Sequence, residues 1–481
     1  MILYKLGNSK KKFILIIQGL FLIFVFTISC NKIVKIPNSI TSVTSQQVFN
    51  NDATAESALL GIYSSMNSLP STFTTGSASA YLGESADELA DETPGFEMGD
   101  QFLSNSLTAL QNSQTILSNF WQPAYFNIYS ANSIILGAQQ STGLSAGVKS
   151  RVTAEAKFIR GFCYFYLINI FGDIPLVLTN DFNQTALLAK SPRSVVYQQI
   201  VEDLQAAQTY LPSDFSLTKG LPIRANKWAA TALLARVYLY LGNWKGADSA
   251  ASAVINSGQF RLVGLDSVFH ANSMETILQL QTLNQYPYTT WEGNLFLPYD
   301  STSQPAFWIT PQLLQSFDYN DLRRLYWIDS ANVGGSYLYY PYKYKIQVGM
   351  PSGSDSAENE TVFRLAEEYL IRAEADLQPG DQQNLPQATE DLSTIRIRAG
   401  LDSLPPFQTS AQLMKDVQHE NQIEFAFEWG HRWFDLKRWG ISIQTLNTIP
   451  YKSSIDSTQL LFPIPFSETS TDPNLKQNPG Y

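Results

Sequence analysis

The residues with the clearest catalytic potential lie between Glu428 and Arg438. His431 stands four residues before Asp435 and three after Glu428, so one helix face could hold all three. A histidine beside carboxylates is the equipment of general acid–base catalysis. No Ser or Cys nucleophile in a G-x-S-x-G setting accompanies it, so a hydrolase of that kind lacks its attacking group. Arg432, Asp435, Lys437 and Arg438 alternate with Trp433, Phe434, Leu436 and Trp439. That pattern reads as a packed helix whose charges pair internally, and Glu367, Arg372 and Glu374 read the same way. A glycosidase needs two carboxylates across a sugar, but with 42 acidic residues chance pairs are unavoidable. No catalytic residue is assigned.

Metal chemistry is equally thin. Glu84, Asp87, Glu88, Asp91, Glu92, Glu97 and Asp100 offer oxygen ligands dense enough for a structural Ca2+. Their spacing does not follow an EF-hand loop, so the run reads as a solvated acidic loop and no cofactor is expected. His270, His419 and His431 are far apart, and the chain has two cysteines, Cys30 and Cys163. Without an HExxH or a Cys/His cluster, a zinc enzyme is excluded.

The densest chemical potential is aromatic. Phe, Tyr and Trp make up 13% of the chain, and they crowd together between 286 and 344. Flat rings stack on the apolar C–H faces of sugars while polar neighbours hydrogen-bond the hydroxyls. Trp291, Trp308 and Trp327 are the leading candidates for ligand contact, followed by Tyr286, Tyr288 and Tyr339. Any one of these rings could instead belong to the core.

The elements around these residues are mostly helical. Apolar spacing of 3–4 predicts helices over 52–67, 120–137, 152–171, 195–211 and 411–439. Between 226 and 256, Ala235, Tyr238, Leu241-Gly242, Trp244, Ala247 and Ala251 sit where a tetratricopeptide-type helix pair needs them. Small Ala residues let two helices approach, and Leu-Gly makes the turn. A second pair is predicted over 363–377 and 388–399. From about 260 to 355 the helical period disappears, which predicts long loops and short strands set into the helical frame, the kind of segment that carries binding. The tail from 460 to 481 reads as Pro-rich and extended. The fold class is therefore mostly α, a tetratricopeptide-like helix-pair scaffold with a large irregular ligand-binding face.

The N-terminus reads as a targeting segment. Lys5, Lys10, Lys11 and Lys12 precede an apolar stretch from Phe13 to Ile28, shorter than the ~20 residues of a spanning helix. It ends in Thr27-Ile28-Ser29-Cys30, a loose lipobox with Cys30 as the lipidated residue. Residues 1–29 are then a signal peptide and 30–51 a polar tether, leaving 52–481 as the folded domain. Lipidation attaches a chain to a membrane without spanning it. Charged residues are 15% of the chain and net charge is −10. That balance excludes a nucleic-acid binder, which needs a basic surface.

Several segments together resemble one family. They are Glu155 to Arg160 followed by Phe165-Tyr166-Leu167 and Phe171-Gly172-Asp173-Ile174-Pro175-Leu176; Leu233 to Leu239; Leu365 to Ala375; Glu424 to Gly440; and Leu461 to Pro465 with Asn474 to Tyr481. The chain resembles the SusD/RagB family of nutrient-binding outer-membrane lipoproteins of Bacteroidota. The resemblance implies an N-terminal part over about 52–225 and a C-terminal part over about 226–481 that includes the aromatic region 260–355. It implies a non-enzymatic protein, anchored by lipid in the outer membrane and facing the cell surface. Such a protein binds a glycan, or in some members a peptide, and delivers it to a SusC-like TonB-dependent barrel. It adds Tyr81 and Phe96, because the loop near Tyr81 faces the ligand in related proteins. Two departures stand out. Asn421-Gln422 replace an Arg-rich pair after Glu420, which predicts a weaker ion network there. Asn31 to Lys35 replace the acidic residues that follow the lipid cysteine of surface-exported lipoproteins. The alternative to ligand capture is a helical-repeat adaptor whose only ligand is protein.

Overall fold

A computed structural model describes residues 45–66, 111–282, 289–347, 357–381, 383–449, 452 and 455–481. The chain divides into Met1–Val48 and Phe49–Tyr481. In the first unit the described part is a four-residue helix, Ser45–Val48. The second unit carries the remaining described residues.

Its first half is built on three long helices. Helix α1 spans Asp52–Met66, α2 Gln111–Gln140 and α3 Ala146–Phe171. Helix α4 follows at Arg193–Tyr210. Helix α3 is apolar nearly all round, and its residues from Ala154 to Phe171 are buried apart from Lys157. A helix with that pattern belongs inside. Arg160 at its centre donates two bonds to Asp203 of α4, at 2.8 and 2.7 Å, and one to Asn132 of α2 at 2.6 Å. One buried guanidinium thus ties three helices in a fixed register.

The last turn of α3 shows why the chain folds back on it. A helix end leaves four carbonyls without intrahelical partners. Ile168 O accepts from Gly172 N, Asn169 O from Lys437 Nζ, Ile170 O from Phe462 N and Phe171 O from Asn478 Nδ2. Gly172 takes φ +77, open to glycine. Three of those four donors come from the distant C-terminal segment. The tail from 460 to 481, which the sequence reads as extended, also contains a six-residue helix, Phe466–Thr471.

The expected helix pair is present as α5, Lys227–Tyr240, and α6, Trp244–Ile255. Asn243 caps α6 by accepting from Gly246 N, and Gly242 at φ +66 makes the turn. Ala235, Ala247, Ala250, Ala251 and Ala375 pack together, so small side chains set the close approach. Strand β1 spans Thr276–Leu280. After it come the short helix α7, Trp291–Phe296, and the hairpin β2, Ile328–Val333, with β3, Ser336–Pro341. Strand β4, Glu360–Arg364, pairs antiparallel with β1. The second pair is α8, Leu365–Asp376, and α9, Leu385–Arg398.

The region expected to be helical from 411 to 439 is two helices, α10 at Ser410–Glu424 and α11 at His431–Arg438. Phe427, Trp429 and Gly430 between them all have positive φ. Tertiary bonds hold this break: Trp429 Nε1 donates to Thr361 O at 2.8 Å, and Glu428 binds Arg364 and Lys343. The terminal helix Phe466–Thr471 is called α12.

Candidate functional site

The residues with catalytic potential are locked into this frame. Glu428 accepts from Arg364 at 2.8 Å and from Lys343 at 2.5 Å. Asp435 and Glu374 share Arg438. Glu367 grips Arg236 through bonds of 2.5 and 2.6 Å, and Arg372 grips Asp391. His431 stacks on Phe425 with ring centroids 4.6 Å apart. Burial, then the surrounding Arg236, Arg364, Lys343 and Arg438, keep its imidazole well below the ordinary value and so neutral.

A buried ion lattice underlies the 321–364 stretch. Arg323 binds Asp321, Glu420 and Glu424; Arg364 binds Glu275, Glu424 and Glu428; Arg398 binds Glu275 and Glu424. Burial opposes charge on Glu424, yet Arg398, Arg364 and Arg323 hold its carboxyl far below the usual range. The network at Glu420 is not weak. Arg323 and Arg396 each reach it at 2.8 Å from other elements, while Asn421 bonds its own helix at Val417 O.

The aromatic candidates separate on this frame. Trp327 is 2% exposed, and its indole N–H donates to Leu265 O at 2.9 Å. Lys343 lies 4.6 Å from its ring centre, with Arg398 at 5.6 Å and Arg364 at 5.8 Å. Its faces are occupied by cations, so it is part of the core and offers no stacking surface. This corrects its place among the ligand rings.

Trp308 and Tyr339 are half-buried neighbours. Ile309 N donates to Tyr339 O at 2.7 Å, which sets the 308 segment along β3. The body of Tyr339 packs on a cluster containing Phe296, Phe307, Ile309 and Phe427. In the hairpin register Ser330 faces Tyr339 and Asn332 faces Tyr337, so Tyr337 and Tyr339 share one side. Asn332 N donates to Ser301 O at 2.8 Å, bringing the 299–303 turn to the same edge. Tyr337 is 63% exposed, Tyr299 85% and Tyr319 91%. These three open rings lie in the aromatic stretch outside the candidates named above; exposure along β3 rises toward the Gly334-Gly335 turn, so the glycine pair is the signal that could have found Tyr337. Such a surface can stack on flat apolar faces and exchange hydrogen bonds through phenol hydroxyls.

Trp291 opens α7, which the same cluster anchors through Phe296. It is half-buried, and its Nε1 is shielded from solvent with no hydrogen-bond partner. Gly293 lets α7 press against the 346 backbone: a Cβ there would stand 2.3 Å from Ile346 O. Glu358 pins that segment, accepting from Lys345 N at 2.7 Å and Ile346 N at 3.2 Å. Burial pushes its carboxyl up to about 7 against those two donors. Tyr81, Phe96, Tyr286, Tyr288 and Cys30 lie outside the described residues, as does the acidic run 84–100. Among the described residues no group of His, Cys, Asp and Glu could hold a metal ion, and no helix is long and apolar enough to cross a membrane.

Comparison with known proteins gives consistent matches. A model described as the SusD family matches residues 328–481. A second, described as starch-binding and associating with outer membrane, matches residues 71–239. A SusD-like protein of Formosa agariphila is 28% identical over 446 residues, covering 80% of this chain and 86% of its own. The starch-binding protein SusD of Bacteroides thetaiotaomicron is 24% identical over 431 residues, covering 71% and 75%. Among solved structures, a SusD superfamily protein of Parabacteroides distasonis has a TM-score of 0.75 at 22% identity, over 92% of this chain and 100% of the other. A laminarin-binding SusD-like protein has a TM-score of 0.74 at 23% identity, over 90% and 100%. The structural likenesses carry the fold. The two family models, over residues 71–239 and 328–481, together with the SusD-like relatives, place this chain in the SusD/RagB family.

Proposed function

We propose that this chain captures an oligosaccharide at the outer membrane, without catalysis, and hands it to a SusC-like TonB-dependent barrel. The observation that carries the reading is the half-open aromatic surface of the β2–β3 hairpin, Tyr337 and Tyr339 beside Trp308. It sits on the scaffold of a family with a model described as starch-binding. Trp291, at the head of α7, extends the candidate site, and Tyr81, Phe96, Tyr286 and Tyr288 remain assigned to it as ligand contacts. The arginine-bound carboxylates of the 424–438 region support a non-catalytic role, since each is engaged in the frame. Residues 1–29 serve as a signal peptide, Cys30 as the lipid attachment point and 30–51 as the tether. They hold the 52–481 domain at the membrane, facing the cell surface.

The test is affinity electrophoresis and calorimetry of the mature chain against polysaccharides, beginning with starch and laminarin, and against peptides. Binding to one glycan class that weakens in Trp308→Ala and Tyr337→Ala supports the reading. Binding to peptides alone would change the ligand class. Silence across both panels would remove the ligand-capture function and leave the protein-only adaptor.

A further inference from the structure

A second exposed apolar face lies on α2, apart from the hairpin. The helix turns Gln122, Phe126 and Tyr129 outward at i, i+4 and i+7. Phe126 is 59% exposed and Tyr129 51%. The segment after α3 runs beside it: Tyr125 Oη donates to Pro175 O at 2.8 Å and Asn132 Nδ2 to Val177 O at 3.0 Å. That segment adds Leu178, Phe182 and Leu187, exposed by 40%, 76% and 55%.

Between α2, this segment and α12 opens a cleft of about 320 Å³. Trp121 and Tyr125, with ring centroids 4.9 Å apart, form one wall. Glu468 and Asp472 stand on the other. Glu468 accepts from Gln122 Nε2 at 3.0 Å, and Asp472 accepts from Asn474 N at 2.8 Å. Among the described residues neither carboxylate has an arginine or lysine partner. The contrast with the 424–438 carboxylates, all held by cations, is plain.

The chemistry of this face selects its occupant. Leu178 and Leu187 offer no flat ring to stack on a sugar. An exposed apolar patch rimmed by polar groups is the form of a protein contact. Two uncompensated carboxylates beside an aromatic wall favour a cation with an apolar stem. We propose that this face docks a partner polypeptide through an arginine or lysine flanked by apolar side chains. The basic head sits between Glu468 and Asp472, its stem lies along Trp121 and Tyr125, and the flanking residues cover Phe126 and Phe182. We place that segment on the transporter barrel, so the assignment rests on the proposed delivery function.

The test uses the tagged full-length chain in its native cells, with the co-purifying barrel quantified. Glu468→Lys/Asp472→Lys and Phe126→Ala/Phe182→Ala should each lower barrel recovery by ~10-fold or more. Melting temperature and glycan affinity should stay at wild-type values. Glu468→Gln/Asp472→Asn should lose less and flatten the salt dependence of recovery. Undiminished recovery in both double variants, with wild-type melting, overturns the docking face and leaves delivery standing. If the wild type recovers no barrel, both fall. Loss of glycan binding in the same variants would make the cleft a sugar subsite and overturn the polypeptide assignment.

Discussion

Trp308 and Trp327 belong to one stretch of chain and meet opposite surroundings. Trp327 is enclosed, with its N–H spent on Leu265 O and three cations around its ring. Removing it leaves a large cavity and exposes those charges to each other. Trp327→Ala should therefore cost ~3–5 kcal/mol of stability, read by denaturant unfolding. Trp308 keeps part of its surface open. Trp308→Ala should lower glycan affinity ~5- to 10-fold, the worth of about one aromatic contact. Its unfolding free energy should fall by well under the loss in Trp327→Ala, since part of the ring already faces solvent. Equal loss of affinity in both variants, at equal stability, would contradict this division.

The elements decide which side chains face the site. Gly293→Ala would force α7 off the 346 backbone, since its Cβ would clash with Ile346 O at 2.3 Å. The expected result is lower affinity and a shifted tryptophan emission, measured by fluorescence titration. Helix α8 carries a pH response at its end. Burial, then Asp248 and Asp391, raise Asp376 from 3.8 to about 7. A carboxyl raised in this way holds its proton more tightly folded than unfolded, so it lowers stability as pH climbs from about 4 to 7. Asp376→Asn should match the wild type near pH 4 and melt on the order of 1–3 °C higher at pH 8. Scanning calorimetry at the two pH values checks this.

The helix pairs were legible because Ala spacing and Leu241-Gly242 are local signals. The break after Glu424 was not, because Phe427 and Trp429 adopt positive φ under tertiary bonds that no local preference encodes. The aromatic density of 260–355 was legible, but the outward rings were not. Tyr339 and Tyr340 are adjacent and both packed, one on Phe296 and Phe427 and the other on Leu297 and Ala331, while exposure rises only toward the turn end of β3.

At the scale of the molecule, the ion lattice fixes the site to the scaffold. Arg364 joins β4 to Glu275, Glu424 and Glu428. Arg364→Met would leave those carboxylates short of a cation and should cost ~3–5 kcal/mol, read by guanidinium unfolding. Glu424, held below its ordinary range, adds stability that is present above about pH 4.5 and lost as pH falls through its folded value. The clamp on the end of α3 bears on timing. Asn478 closes on Phe171 across 307 positions, and Lys437 closes on Asn169 across 268. A growing chain makes α3 long before it makes these donors, and contacts so distant in sequence form late. A chain cut after Leu460 should keep its far-ultraviolet helical signal yet lose a sharp melting transition, which circular dichroism and calorimetry would separate. Emergence of residues 437–478 then becomes the event that caps α3 and shuts the first half of the core, and until that moment the last carbonyls of that helix wait for partners made hundreds of residues later.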